Sequence, residues 1–360
     1  MQSISLIKEL LRENMRNFRM EEIAKAVGVS PATVSRTLHS PHLVHPKTRQ
    51  RILQLMEESG YIYNATAGDL SRKKSNVLGI LIPIAQHVAF GYTTLAILEK
   101  AQEEGFSTIL GNTRFDPEME RRLLHQFLER RAAGVILMGF SIGQEKPVVD
   151  LIQHGIPCVV IWEILDNPNI SYVGFDNRAA ARSVVEYLLS LGHRRIGLII
   201  SLYSKLGRIK RRLEGYQDAL ESQGIPFDPA LVIEREPTLM EGKEAMGRLL
   251  ALPDPPTAVF CASDYLAIGA LAAAKERGLK VPDDVSIAGF DDIEFAAYCD
   301  PPLTTVRSPS YEMGQMAVKF LSDIIKNKSQ EVRRYQFNPD LIIRKSCAPP
   351  KTQGQLNKSL

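Results

Sequence analysis

From Val77 onward, the chain alternates short apolar runs with amphipathic stretches of ten to sixteen residues. This alternation is typical of parallel β-sheets whose strands are joined by crossover helices, so it predicts an α/β fold with doubly wound sheets. The predicted strands are Val77–Pro83, Ser107–Gly111, Gly134–Met138, Cys158–Ile161, Arg195–Ile200, Thr257–Cys261 and Val285–Gly289. The predicted helices are Tyr92–Glu104, Pro117–Arg131, Asn177–Leu191, Arg208–Gln223, Glu241–Leu252, Tyr265–Arg277 and Ser310–Ile325.

The 270 residues from 76 to 345 exceed what one sheet comfortably holds, so we expect two lobes. The predicted crossing points between the lobes are Trp162, Asp291 and Ser322. The N-lobe would then contain residues 76–162 and 292–322, and the C-lobe residues 163–291 and 323–345. Residues 346–360 would form a tail, whose lack of a heptad pattern disfavours a tetramerising coiled coil.

The segment from Met20 to His39 has the spacing of a helix-turn-helix. Gly28 can adopt the positive φ of a tight turn, Ser30 can cap the second helix, and Pro31 fits its first position. The apolar positions that would form a shared core are Ile23, Ala24, Val27, Val29, Val34 and Leu38. A third predicted helix, Pro46–Ser59, completes a three-helix headpiece.

The second helix of this pair has an outward face that can meet DNA. Arg36 can read guanine edges in a major groove, and Thr33 and Ser35 can meet phosphates or bases. The alternative is a capped helical hairpin with a solvated face. Residues 1–75 hold 12 Lys and Arg against 7 Asp and Glu, whereas residues 76–360 hold 32 against 34. A basic segment on a near-neutral body is typical of a protein that binds phosphate.

Motifs along the whole chain carry a family resemblance. The headpiece has Gly28-Val-Ser-Pro-Ala-Thr-Val-Ser-Arg and Gly60-Tyr-Ile-Tyr-Asn. The body has Val173-Gly-Phe-Asp-Asn, Leu191-Gly-His-Arg-Arg-Ile-Gly and Val281-Pro-Asp-Asp-Val-Ser-Ile-Ala-Gly-Phe-Asp-Asp. From about Arg19 to about Lys345, the chain thereby resembles the lactose-repressor (LacI/GalR) family of bacterial transcription regulators. The resemblance implies an all-α headpiece at 19–62, a hinge at 63–75 and a two-lobed body like periplasmic binding proteins.

By this resemblance, the protein is a homodimer that represses transcription by reading an inverted repeat in double-stranded operator DNA. The expected DNA-contacting residues are Ser30, Pro31, Ala32, Thr33, Ser35, Arg36, Asn64, Ala67 and Leu70. In the hinge, the residue at the Leu70 position wedges into the minor groove. The chain departs from the family pattern at Gly68 and Asp69, because glycine costs about 1 kcal/mol of helix propensity and aspartate repels phosphate. Residues 1–18 form either an extra amphipathic helix or a frayed tail.

The resemblance also implies a small sugar-like effector held between the lobes, beyond the carboxyl ends of the strands. Matching positions to the family's effector contacts gives Phe90, Trp162, Arg212, Ser263 and Asp291. Arg208 is the sixth predicted effector residue, because it opens a cluster of cations on the helix that carries Arg212. Arg212 and Asp291 can pair a donor with an acceptor to fix sugar hydroxyls. Phe90 and Trp162 either stack on the effector or belong to the core. Asp176 and Asp264 either contribute to the site or, as we favour, cap helices.

The segment Arg208-Ile-Lys-Arg-Arg-Leu, preceded by Lys205, places several cations at the start of a predicted helix. Each cation there opposes the helix macrodipole by about 0.3–1 kcal/mol, so a nearby anion would relieve the arrangement. This favours an effector with a carboxylate or phosphate, such as a sugar acid or sugar phosphate. The alternative is a solvated basic surface.

One motif points to a different class of protein. Gly139-Phe-Ser-Ile-Gly matches the G-x-S-x-G pattern of a hydrolase nucleophile and follows a predicted strand. However, Gly143 and Pro147 delay the next helix, and neither His154 nor His193 is suitably placed, so we do not expect an enzyme. No cofactor is expected either, because the sequence has no P-loop, G-x-G-x-x-G or H-E-x-x-H motif. No metal site is expected, because the cysteines lack ligand spacing and predict reduced thiols: Cys158, Cys261, Cys299 and Cys347.

These observations predict a cytoplasmic transcription regulator, most simply a repressor, that is controlled by a small ligand. The alternative is a solute-binding protein of a transport system. Charged residues stand near the N-terminus where a signal peptide needs an apolar run, and no apolar run reaches the length of a membrane span. Together with the headpiece, these features disfavour the transport alternative.

Overall fold

The computed structural model describes residues 19–61, 75–83, 88–140, 145–201, 206–328 and 331–351. The chain divides into two compact units, residues 1–74 and 75–360. In the first unit, the predicted helix-turn-helix and the third helix are present. The elements are α1 (Met20–Val27), α2 (Pro31–His39), a short 3₁₀ turn (Pro41–Leu43) and α3 (Pro46–Ser59).

The headpiece helices begin and end where their sequence signals lie. Gly28 ends α1 with a φ of 77°, the left-handed conformation that glycine adopts without a Cβ clash. Ser30 Oγ accepts a hydrogen bond from the Thr33 backbone N–H at 3.2 Å, and Pro31 occupies the first position of α2. One core joins the three helices through Ile23, Ala24, Val27, Val34, Ile52 and Met56.

Within the described residues, the body contains eight helices and twelve strands. The helices are α4 (Val88–Glu103), α5 (Pro117–Glu129), α6 (Glu145–Gln153), α7 (Asn177–Ser190), α8 (Gly207–Glu221), α9 (Leu239–Leu250), α10 (Asp264–Glu276) and α11 (Ser310–Asn327). The strands are β1 (Val77–Ile82), β2 (Ser107–Asn112), β3 (Gly134–Leu137), β4 (Cys158–Ile161), β5 (Ser171–Phe175), β6 (Ile196–Ser201), β7 (Val232–Arg235), β8 (Ala258–Cys261), β9 (Ser286–Asp291), β10 (Thr304–Arg307), β11 (Arg334–Phe337) and β12 (Asp340–Ile342). All seven predicted strands and all seven predicted body helices are present; α6 and five strands were not predicted.

The strands form two six-stranded sheets with corresponding strand orders. The N-lobe sheet has the order β11-β5-β4-β3-β1-β2 and is parallel throughout. The C-lobe sheet has the order β12-β10-β9-β8-β6-β7 and is parallel except for β12, which runs antiparallel to β10. The winding reverses between β1 and β3 in the first sheet and between β6 and β8 in the second. Loops that follow these strands separate there and open a crevice, the usual ligand position in such sheets.

The predicted crossing points between the lobes were wrong. After Trp162 the chain adds β5, which pairs with β4 in the same sheet, so the first crossing follows residue 175. After Asp291 it adds β10, which pairs with β9, so the second crossing follows residue 307. After α11 it adds β11 to the N-lobe sheet, so the third crossing follows residue 337, beyond Ser322. A short strand sequence does not show which sheet the strand joins, and this is why the lobe boundaries were misplaced.

The start of the predicted tail is attached to the C-lobe. Ser346 Oγ donates to the Ile287 carbonyl at 2.6 Å, and the Ala348 N–H donates to Ser286 Oγ at 3.1 Å. The buried ring of His193 also lies within hydrogen-bond distance of the Ala348 carbonyl, at 3.0 Å. Residues 352–360 lie outside the described part. No described helix is both long and apolar enough to cross a membrane.

Candidate functional site

The predicted DNA-reading face is the outer side of α2. Pro31, Ala32 and Arg36 are exposed, and Thr33 and Ser35 are half-buried. The Ser30 hydroxyl is used in capping, since its Oγ also lies 3.0 Å from Thr33 Oγ1. The helix therefore presents two small side chains and one long cation outward, which suits close approach to base edges.

The predicted hinge contacts Asn64, Ala67 and Leu70, together with Gly68 and Asp69, lie outside the described residues. The predicted helix or tail at residues 1–18 lies outside them as well. The predictions for both segments therefore remain predictions.

The six predicted effector residues line one cavity between the lobes: Phe90, Trp162, Arg208, Arg212, Ser263 and Asp291. They come from α4, the end of β4, α8, the loop after β8 and the end of β9. The unfilled space, including its mouth, is about 460 Å³. The cavity lies beyond the carboxyl ends of strands from both sheets, as expected for a ligand site in this kind of fold.

Arg212 is held in a fixed orientation by groups from several elements. Its Nε donates to Asn177 Oδ1 at 2.9 Å, and its Nη1 donates to the Ala262 carbonyl at 2.7 Å. The guanidinium carbon lies 3.6 Å from the centre of the Phe290 ring, a close cation–π contact. Nη2 lies 3.8 Å from Asp291 Oδ1. Burial lowers the pKa of Arg212 to about 10, against the opposing effect of Asp291, so the residue stays charged at neutral pH.

Asp291 supplies the acceptor side of the cavity. It is buried and has a φ of 116°, a backbone conformation that non-glycine residues rarely adopt. Ser308 Oγ lies 3.4 Å from its Oδ1. Burial raises the pKa of Asp291 to about 6, although the charges of Arg212 and Arg208 oppose this rise. Strained, buried acids of this kind cluster at functional sites.

Arg208 occupies the N-lobe side of the cavity although it belongs to α8. Its Nη1 donates to the Met138 carbonyl at 3.3 Å and lies 3.8 Å from Glu163 Oε1. Its guanidinium also lies 5.3 Å from the Phe90 ring centre and 5.8 Å from that of Phe115. Desolvation by burial lowers the pKa of Arg208, while Glu163 and Asp291 counteract it. Arg208 therefore connects the two lobes electrostatically.

The aromatic residues serve both as core and as cavity wall. Phe90 and Trp162 are 6% and 1% exposed and contact each other edge to face, with ring centres 5.1 Å apart. Trp162 has a φ of 75°, and its Nε1 has no acceptor among the described residues. An indole N–H that is buried at a cavity wall is a donor suited to a ligand oxygen.

The basic cluster divides into two groups. Arg208 and Arg212 line the cavity, whereas Arg211 pairs with Asp166 at 3.6 Å and with Glu214 at 3.6 Å. Lys210 likewise lies 3.9 Å from Glu214, on the exposed side of α8. Lys210 and Arg211 thus lie on the surface and not in the cavity, so only the two buried arginines still favour an anionic effector. Lys205 lies outside the described residues.

The two acids that were expected to cap helices behave differently. Asp176 caps α7, accepting hydrogen bonds from the Arg178 and Ala179 N–H groups, as predicted. For Asp264 the capping prediction was wrong: Ser263 caps α10 instead, accepting from Leu266 N at 3.4 Å. Asp264 is fully buried and accepts from the Ile293 N–H and the Thr305 hydroxyl, which places it between β9 and β10.

Several residues of the site were not predicted from the sequence. Phe115, Ser201 and Leu266 line the cavity, and Asn177 orients Arg212 while donating to the Trp162 carbonyl at 2.9 Å. Asn177 could have been found, because it follows Asp176 in a family motif. Glu163, beside Arg208, carries no sequence signal beyond its position after Trp162.

The G-x-S-x-G segment is only partly described. Gly139 follows β3 with a φ of 76°, residues 141–144 lie outside the described part, and the next helix begins at Glu145. His193 binds Thr257, Ser286 and Ala348 in the C-lobe. Within the described residues, no cluster of three or more His, Cys, Asp or Glu could hold a metal ion.

Comparison with known proteins assigns the chain to a family. The family model described as "Bacterial regulatory proteins, lacI family" matches residues 19–64, and one described as "Periplasmic binding protein-like domain" matches residues 185–347. The HTH-type transcriptional repressor CytR of Escherichia coli (strain K12) is 34% identical over 328 residues, which cover 91% of this chain and 95% of CytR. The chain belongs to the LacI family of bacterial transcriptional regulators.

Solved structures agree with this LacI-family assignment. The lac repressor dimer bound to operator and the anti-inducer ONPF superimposes with a TM-score of 0.81 at 28% identity, covering 92% of this chain and all of that one. A complex of the transcriptional regulator CelR with cellobiose gives a TM-score of 0.68 at 29% identity, with the same coverage. The helix-turn-helix headpiece and two-lobed α/β body are therefore those of a DNA-binding regulator with ligand control.

Proposed function

We propose that this LacI-family protein is a cytoplasmic repressor that binds a palindromic operator as a homodimer, with an affinity set by a small hydroxyl-rich ligand between the lobes. The single observation that carries the proposal is the convergence of the six predicted residues on one cavity, in a chain that also has a helix-turn-helix. Ligand and operator affinities are coupled reciprocally, so the ligand must bind the DNA-competent and released states unequally.

The ligand class follows from the groups that face the cavity. Arg212 and Asp291 provide a fixed donor and acceptor within 3.8 Å of each other, an arrangement that matches neighbouring sugar hydroxyls. The Phe90 and Trp162 rings provide apolar surface for a sugar face. The CelR structure contains cellobiose, which supports a carbohydrate ligand here. Arg208 adds a second cation, which suits a sugar acid or a sugar phosphate.

For DNA recognition, the exposed residues of α2 read the operator in the major groove. Arg36 donates to base edges, while Pro31 and Ala32 allow α2 to approach closely. In the hinge, Leu70 wedges into the minor groove at the centre of the site, and Asn64 and Ala67 also contact the DNA. The operator-bound state of the related lac repressor dimer supports this arrangement.

The dimer is supported by an exposed apolar strand edge. Ile109 and Leu110 are 38% and 48% exposed on β2, which is an edge strand of the N-lobe sheet. Exposed apolar edges favour association unless a partner covers them. A second copy of the chain would cover this edge and also provide the second headpiece that an inverted repeat requires.

A ligand screen and a domain deletion test this function. Purified full-length protein is heated with sugars, sugar acids, sugar phosphates and purines; a ligand at one hundred times its Kd should stabilise it by about 2.7 kcal/mol. The ligand should then change operator affinity in a fluorescence anisotropy titration. Deleting residues 1–75 should abolish operator binding and leave ligand binding intact.

Two results would contradict the proposal. Retained operator binding after the deletion would show that the headpiece does not carry recognition. A ligand that binds the cavity but changes neither operator affinity nor its own affinity in the presence of operator would favour the solute-binding alternative. As a control, the matched variant Lys210→Ala removes an exposed cation of the same helix that pairs with Glu214 and should leave ligand binding unchanged.

A further inference from the structure

Two buried glutamates, Glu120 and Glu163, lie outside the set of residues that lines the cavity. Glu163 directly follows Trp162, and Glu120 lies on α5; each is 6% exposed. The Oε1 atoms of both have no hydrogen-bond partner in the described part of the chain. Buried carboxylates normally have full hydrogen-bond partners, because an unpaired buried charge is costly. The pair is therefore not explained by stability.

The surroundings of Glu163 hold it against Arg208. Arg208 Nη1 lies 3.8 Å from Glu163 Oε1, and the Phe140 N–H donates to the carboxylate. Gly139 and Gly207 leave the space that it fills, because a Cβ at either position would overlap the carboxylate. A side chain enclosed in this way stays beside Arg208 and cannot move into solvent.

The charged groups that face Glu163 come from two helices. Arg208 and Arg211 on α8 favour its ionised form, and the charge of Glu163 in turn opposes ionisation of Glu120 on α5. Burial dominates and raises the pKa of Glu163 to about 7; burial and the charge of Glu163 together raise the pKa of Glu120 to about 7. The charge of Asp291 also acts on Arg208 and raises its pKa. Near neutral pH, the pair therefore changes its charge with small changes in its surroundings.

We propose that Glu120 and Glu163 determine the charge of the ligand that this cavity accepts, because an anionic group can bind Arg208 only together with a proton that the pair takes up. The inference rests on the proposed function, since it concerns the same ligand cavity. An anion at Arg208 competes with Glu163 for the guanidinium and adds a like charge nearby. Both effects favour protonation of the pair. A neutral sugar has neither effect.

The proposal makes binding of an anion depend on pH in one direction. Below neutral pH the pair already holds its proton, and its contribution to the affinity is constant. Above pH 7 a proton must be taken from solvent, so the affinity falls by up to tenfold for each pH unit. Glu163→Gln removes the competing charge permanently. We expect this variant to bind the anion about tenfold more tightly than the natural protein at pH 8, with no pH dependence from this source.

The first test follows protonation without any ligand. Trp162 is the only tryptophan, so its fluorescence reports on Glu163, the next residue. The full-length protein should show a transition with a midpoint near pH 7 that Glu163→Gln abolishes. Glu120→Gln should move it to lower pH, because it removes a like charge. Glu118→Gln, on the exposed face of the same helix, is the control and should leave the midpoint unchanged. A transition that persists unchanged in Glu163→Gln and Glu120→Gln would overturn the proposal.

The second test uses inorganic phosphate, glucose 6-phosphate and gluconate as anionic probes and glucose as the neutral one. Calorimetric titrations at pH 7.5 in two buffers of different ionisation enthalpy measure the protons taken up. We expect net uptake of up to one proton with a phosphate or carboxylate probe, and none with glucose. Comparing the phosphate probes with gluconate shows whether the cavity takes a phosphate or a carboxylate. If anions bind without proton uptake, or only glucose binds, the proposal is wrong while the proposed function stands. If none of the ligands that bind changes the operator affinity, the proposed function is refuted instead.

Discussion

Replacing Gly139 with alanine tests whether the cavity is packed as described, because the new methyl group would lie between Arg208 and Glu163. A Cβ at this position would be 2.5 Å from Glu163 Oε1 and closer still to Arg208 Nη1. Real atoms do not approach so closely, so the two buried side chains must move. Overpacking of this kind costs about 1–3 kcal/mol. The left-handed φ of 76° costs alanine a further 1–2 kcal/mol, roughly.

We therefore expect Gly139→Ala to lower the free energy of unfolding by about 2–5 kcal/mol. Gly155→Ala is the matched control: its φ is 81°, but no atom lies within 4 Å of the added Cβ, so it bears only the backbone cost. Urea unfolding followed by circular dichroism measures both variants. The difference of about 1–3 kcal/mol isolates the collision with Arg208 and Glu163. Equal losses in the two variants would refute the packing of Arg208 against Glu163.

Three further predictions concern pH, capping and base reading. The pKa of Glu120 is raised from 4.5 to about 7, so as pH rises between these values Glu120 ionises in the unfolded chain but not in the folded one, and the protein loses about 3 kcal/mol of stability. Glu120→Gln should therefore raise the free energy of unfolding in urea by about 3 kcal/mol more at pH 8 than at pH 4.5. An effect that does not depend on pH would contradict the burial of Glu120. Ser30→Ala should lower the stability of the headpiece by about 1 kcal/mol, because it removes the cap of α2, and amide hydrogen exchange in α2 should become faster. Unchanged exchange would show that the cap does not stabilise α2. Arg36→Ala should relax base preference at one operator position in a binding-site selection; unchanged preference would remove Arg36 from the readout.

The sequence predicted most of the strands that are buried on both faces, although it missed β5 and β10. β1, β3 and β4 are short apolar runs between amphipathic stretches, and this alternation identified them. The strands that were not predicted are short or lie at sheet edges: Ser171–Phe175 contains glycine, and Arg334–Phe337 is largely exposed and polar. Edge strands need only one neighbour and little burial, so their sequences have no distinctive apolar pattern.

Most of the site residues were predicted by matching the chain to the family's effector contacts, and the topology explains why they meet. Phe90, Trp162 and Ser263 follow strands or lie at the start of helices, and all such positions converge at one end of parallel sheets. Glu120 could not have been identified in this way. It stands in a run of charged residues in which Glu118 pairs with Arg121 on the surface, and the sequence does not show which of the two glutamates is buried.

The three crossings between the lobes have a consequence for the order in which the protein is made. Each sheet contains one edge strand from near the end of the chain, β11 in the N-lobe and β12 in the C-lobe. Neither sheet can be complete until about residue 342 has left the ribosome, whereas the headpiece core uses only residues between 20 and 61. The headpiece can thus fold early in synthesis, and the two lobes reach completion almost together, near its end.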